Sequence, residues 1–157
     1  FSTKIENEKV EIMLKALVEG DIKLFEKMLR KVVAAVFSFH DFGDEPEKVY
    51  HALVAGLLIW ISNTHEVRSN RESGYGRYDI MIIPRIAPHT TGQPGYVIEF
   101  KTVDKEDGET IESATKAALK QIEEKEYAME LMERGVKNIK KLAVVFNGKD
   151  VRVKLAP

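Results

Sequence analysis

Asp79 interrupts the otherwise apolar run Tyr78-Asp79-Ile80-Met81-Ile82-Ile83, and Glu99 and Lys101 punctuate the run Tyr96-Val97-Ile98-Glu99-Phe100-Lys101. Side chains alternate across a strand, so Val97, Glu99 and Lys101 share one face while Tyr96, Ile98 and Phe100 take the other. If the two segments pair antiparallel across the Pro84 to Gly95 loop, a permitting register brings Asp79 opposite Glu99 on that same face. Two carboxylates brought together on a buried sheet repel each other unless a cation lies between them. Oxygen-only ligands with open water positions favour magnesium or manganese over zinc. Such an ion polarises a phosphoryl oxygen and lowers the pKa of a bound water. Lys101 could orient or deprotonate that water and stabilise the charge developing at phosphorus. The competing account is plainer: Glu99 and Lys101 form a same-face ion pair, and Asp79 caps a turn.

The elements that must position these residues are legible as periodicities. From Ile5 to about Val36, Val10, Met13, Leu14, Leu17, Leu24, Phe25, Met28, Leu29, Val32 and Val33 recur mostly at three- and four-residue steps, which predicts an amphipathic helix pair broken at Gly20-Asp21. Turn formers and acids from Ser38 to Glu45 read as a linker. Pro46 then opens a helix whose broad stripe, Val49, Tyr50, Leu53, Val54, Leu57, Leu58 and Ile61, predicts extensive burial. Three strands follow, at about His65 to Ser69, Tyr78 to Ile83 and Tyr96 to Thr102, with a turn at Gly74 and Gly76 and a long loop from Pro84 to Gly95. The spacing of Ala114, Ala118, Leu119, Ile122, Ala128, Leu131 and Met132 predicts one long helix over about 109–134, ended by Gly135. Lys141 to Phe146 and Val151 to Leu155 complete a hairpin around Asn147-Gly148.

The 157 residues are enough for one ordinary core. Charged residues make up 31% but leave a formal net charge of only -1, so attraction to nucleic acid would have to be local. Cysteine is absent, which excludes disulfides, thiol nucleophiles and Cys-based zinc sites and accords with a cytoplasmic setting. The longest apolar run, Ala52 to Ile61, is too short to span a bilayer. The chain begins at Phe1 rather than Met, which suggests part of a longer polypeptide or a trimmed one. Lys137, Lys140, Lys141, Lys149, Arg152 and Lys154 concentrate positive charge near the C-terminus, and charge beside a hairpin reads first as a solvated edge that discourages aggregation.

A resemblance covers most of the chain from Phe39 onward. The patterns Glu47-x-x-Tyr50-His51, Ser69-Asn70-Arg71-Glu72-Ser73-Gly74-x-Gly76-Arg77-x-Asp79-Ile80-Met81 and Val97-Ile98-Glu99-Phe100-Lys101 resemble the PD-(D/E)XK nuclease superfamily. More narrowly, they look like the domain found at the C-terminal end of AAA-ATPase-like proteins. Tyr78 stands where the superfamily's nominal Pro-Asp pair has proline. The resemblance implies an α/β, restriction-endonuclease-like core of αβββαβ order, with a mixed central sheet flanked by helices, over 39–157. Residues 1–38 would form a helical extension or the tail of an upstream domain. It further implies Mg2+ or Mn2+ bound by Asp79, Glu99 and the Phe100 carbonyl, with Glu47 contributing through water and Lys101 catalytic. Gln121, Lys125 and Tyr127 on the long helix match positions that in the superfamily carry Gln followed by Lys or Tyr, and Gln121 and Lys125 share a helix face. With Arg77 and His51 they are candidates for contact with substrate, DNA before RNA. Plainer readings stand beside these: Glu47 as an acid favoured by a helix N-terminus, His51 as a hydrogen-bonded structural residue, and Gln121 and Lys125 on a solvated charged face. The implied activity is phosphodiester hydrolysis by a metal-activated water. The alternative is a catalytically silent nucleic-acid-binding or regulatory module beside an AAA-ATPase partner domain.

Overall fold

A computed structural model of the chain describes residues 4–39, 46–71, 77–85, 92–124, 127–148 and 150–157. The apolar steps of the N-terminal stretch build two helices, α1 (Lys4–Glu19) and α2 (Ile22–Phe39). Between them Gly20, at φ +85°, takes the left-handed conformation that ends α1, and Asp21 caps α2 by accepting the Leu24 N–H at 3.2 Å. A third helix, α3 (Pro46–Ile59), leads to strands β1 (His65–Arg71), β2 (Arg77–Pro84) and β3 (Gly95–Thr102). Helices α4 (Ile111–Glu124) and α5 (Tyr127–Glu133) then precede β4 (Ile139–Asn147) and β5 (Asp150–Leu155).

The strands form one sheet in the order β1-β2-β3-β4-β5. Only β3 and β4 run parallel, because the chain crosses over through α4 and α5 between them, while the other neighbours are antiparallel. This is the mixed, helix-flanked α/β sheet that the resemblance implied. Gly148, at φ +62°, lies in the expected β4–β5 turn. The linker expected at 38–45, the Gly74–Gly76 turn and the middle of the Pro84 to Gly95 loop lie largely outside the described residues.

Strand alternation sorts the sheet into two faces. Ile80, Ile82, Tyr96, Ile98, Phe100, Leu142, Val144 and Phe146 form one apolar cluster with α1, α2 and α3. The opposite face meets α4 through Ala143 and Val145, and meets α5 through Met81, Ile83 and Val97.

The N-terminal helices are bonded to the sheet as well as packed on it. The Tyr96 hydroxyl donates to the Leu17 carbonyl in the core, and burial pushes this phenol well above its ordinary range, so it remains a donor. Glu26 accepts the Val153 N–H at 2.7 Å, and the Arg30 guanidinium donates to the Val151 carbonyl at 2.7 Å. Both partners lie on β5, the last strand of the sheet.

Of the stripe expected on α3, Tyr50, Val54, Leu58 and Ile61 are buried and Leu53 packs against the same cluster, while Ile59 and Trp60, outside that stripe, are exposed. The helix expected over about 109–134 is described as two helical stretches, with residues 125 and 126 outside the description. It begins only at Ile111 because Thr110 caps it: Thr110 Oγ1 accepts the Ser113 N–H at 3.1 Å, and Ser113 Oγ accepts the Thr110 N–H at 2.9 Å. Gly135, at φ +84°, follows α5 as expected.

Candidate metal centre

The register of β2 on β3 pairs Asp79 directly with Glu99 and Arg77 with Lys101. Asp79 shares its strand face with Met81 and Ile83, and Glu99 shares its face with Val97, so both acids lie on the side covered by α4 and α5. Asp79 is 4% exposed and Glu99 1%. Asp79 is therefore a mid-strand residue.

The apolar packing on this face is interrupted at the acids. Val97, two residues before Glu99, belongs to the cluster under α5. Ala143, paired with Glu99 across the β3–β4 ladder, belongs to the cluster under α4. The two carboxylates thus occupy a seam between two small hydrophobic clusters, whereas the opposite face is one continuous core.

Lys101 follows Glu99 by one alternation, on the same face. Its ammonium donates to Glu109 Oε2 at 2.6 Å, and the two side chains are 11% and 18% exposed. The other carboxylate oxygen, Glu109 Oε1, accepts the Asp104 N–H at 2.9 Å. Glu109 escaped the sequence reading because no strand or helix period links positions 101 and 109. Only the folding back of the Asp104–Glu109 loop, closed by Glu109 N–H to the Asp104 carbonyl at 3.0 Å, brings it to Lys101.

Gln121 lies on α4 beside Ala118 and Ile122, which pack on Ala143. Its Oε1 is buried and has no hydrogen-bond partner among the described residues. Phe100 points to the opposite core, so only its main chain belongs to the column of Glu99 and Lys101. Tyr50 stacks on Phe146 with ring centroids 4.3 Å apart and donates to the Gly148 carbonyl at 2.7 Å, which ties the N-terminal part of α3 to the end of the sheet where Lys101 lies. The side chains of Glu47 and His51 in that helix are outside those described, as are the side chains of Arg77 and Tyr127 and the whole of Lys125.

A sequence model of the PD-(D/E)XK nuclease superfamily matches residues 45–155. The chain belongs to this superfamily. Its mixed sheet with flanking helices is the restriction-endonuclease-like fold of PD-(D/E)XK proteins. No curated protein and no solved structure matches the chain.

PD-(D/E)XK nucleases generally use divalent metals, and the donors here suit one. Two opposed, buried carboxylates offer oxygen alone, the chemistry of a hard dication. Among the described residues no group of three or more His, Asp or Glu side chains stands together as a ready cage. A cation at Asp79 and Glu99 would be held by hard carboxylate oxygens.

Proposed function

We propose that this chain hydrolyses phosphodiester bonds in nucleic acid, DNA in the first instance, with Mg2+ or Mn2+ held by Asp79, Glu99 and the Phe100 carbonyl. The observation that carries this is the β2–β3 register, which sets two buried carboxylates opposite each other and one alternation from Lys101 in a PD-(D/E)XK chain. When bound, the ion supplies a polarised phosphoryl oxygen and a water acidic enough to attack phosphorus at neutral pH. Lys101 presents its charge to the phosphoryl group as negative charge builds there. Gln121 faces the attacking water with its buried amide oxygen, which accepts from the water, or the scissile phosphate with its amide N–H. Arg77, Lys125, Tyr127 and His51 contact the substrate, and Glu47 contributes through water. Net charge near zero makes this contact local and sensitive to salt. The cytoplasmic setting accords with the absence of cysteine.

Purified protein with Mg2+ or Mn2+ should nick or degrade DNA, and Asp79→Ala or Lys101→Ala should abolish the activity. One observation favours a second reading: Lys101 is already engaged by Glu109. On that reading the chain is a silent nucleic-acid-binding or regulatory module of an AAA-ATPase-associated protein. DNA binding without cleavage under any divalent metal would select it.

A further inference from the structure

We infer that Glu109 is a positioning residue for Lys101, fixing the ammonium beside the Asp79–Glu99 pair. The inference rests on the reading of Lys101 as the cation that meets the phosphoryl group. Lysine is a point charge on a four-carbon stem with many rotamers, so an unanchored lysine meets its target in only a fraction of its conformations. Here the charge is held. Its Nζ lies 2.6 Å from Glu109 Oε2, and both side chains are largely withdrawn from solvent. Glu109 is in turn fixed at three points. Its Oε1 takes the Asp104 N–H at 2.9 Å, its own N–H reaches the Asp104 carbonyl at 3.0 Å, and the next residue, Thr110, is locked into the cap of α4.

The loop carrying Glu109 is built for that return. Gly108, at φ +72°, donates its N–H to the Lys105 carbonyl at 3.1 Å, and Asp104 Oδ1 accepts the Glu106 and Asp107 N–H groups at 3.1 and 3.3 Å. Left-handed backbone is available to Gly at no steric cost, which allows a chain leaving β3 to turn back within eight residues of Lys101. An ammonium has three N–H donors, and Glu109 occupies one of them. Two remain to meet phosphoryl oxygens from a fixed origin.

The experiment uses the full chain with Glu109→Ala, Glu109→Gln, Lys101→Ala and the double variant Lys101→Ala/Glu109→Ala, each checked for native circular dichroism. With supercoiled DNA and Mn2+, either Glu109 variant should lower kcat about 10- to 100-fold, as loss of a supporting hydrogen-bond partner does, with KM little changed. Residual cleavage by Lys101→Ala, read at excess enzyme over long incubation, should be no slower in the double variant, because Glu109 acts through Lys101. Additive losses, or an effect confined to KM, overturn the inference. A second readout needs no activity: competitive acetylation of lysines followed by mass spectrometry. Glu109→Ala should speed labelling of Lys101 by about ten-fold or more as the amine is released from its charge-assisted hydrogen bond and becomes accessible, and leave Lys120 and Lys154 unchanged. Unchanged labelling of Lys101 overturns the anchoring. If the wild-type chain cleaves nothing while labelling responds as expected, the anchor stands and the hydrolytic reading falls.

Discussion

Metal binding at the Asp79–Glu99 pair should be visible as stability before any substrate is added. Directly opposed positions on antiparallel neighbours put Cβ atoms about 5 Å apart, within reach of one ion coordinated at about 2 Å by each carboxylate. An ion that binds the folded chain and not the unfolded one stabilises it by RT ln(1 + [L]/Kd), about 2.7 kcal/mol at a hundred-fold excess over Kd. For a chain of this length each kcal/mol moves Tm by about 2–4 °C, so saturation should raise Tm by about 5–11 °C. The assay is a thermal melt with Mg2+, Mn2+ or Ca2+ titrated into EDTA-treated protein, repeated on Asp79→Asn and Glu99→Gln. Both variants should lose most of the shift, and EDTA should restore the starting Tm. A shift of equal size in wild type and both variants would refute the pairing as a metal site, since the ion would then be binding elsewhere. The absence of any shift with all three cations would refute metal binding itself.

Burial, and then the Arg85 charge, push the His65 imidazole below its ordinary 6.5, so the folded chain holds it neutral while the unfolded chain takes up a proton near that value. Its contribution to stability should therefore be complete above 6.5 and decline as pH falls towards the depressed folded value; urea midpoints at about pH 7.5 and about pH 5.5 should show this loss, and His65→Gln should flatten it. Leu17 is 1% exposed in the cluster joining α1 to the sheet, so Leu17→Ala should cost about 2–5 kcal/mol in equilibrium unfolding. An effect under about 0.5 kcal/mol, the scale of a surface change, would mean that α1 contributes little to this core.

What the sequence disclosed followed how local each feature is. Alternation alone places Glu99 and Lys101 on one strand face, and it does so whatever the rest of the chain does. Meeting Asp79 required a register, which the loop leaves open and the apolar faces settle: with β3 fixed, a one-residue slip of β2 would turn Ile80 and Ile82 out of the core. The Gly20-Asp21 break and the Asn147-Gly148 hairpin were legible because turn chemistry is written in a few adjacent residues. Glu109 was not, because its partnership depends on how a loop closes in three dimensions. Nor was the attachment of α1 and α2, which rests on contacts between residues as distant in sequence as Leu17 and Tyr96, or Glu26 and Val153. An apolar helical stripe predicts that something will cover it, but not what.

The bonds from Glu26 and Arg30 to β5 bear on how the molecule avoids its own copies. A terminal strand offers unpaired N–H and carbonyl groups to any extended chain that drifts past, the usual start of domain swapping and aggregation. Here α2 occupies the Val153 donor and the Val151 acceptor, while its inner face covers the same side of the sheet as α1. A fragment trimmed to the matched residues 45–155 would uncover an apolar sheet face and a strand edge together. With the N-terminal helices in place, that face and that edge stay covered.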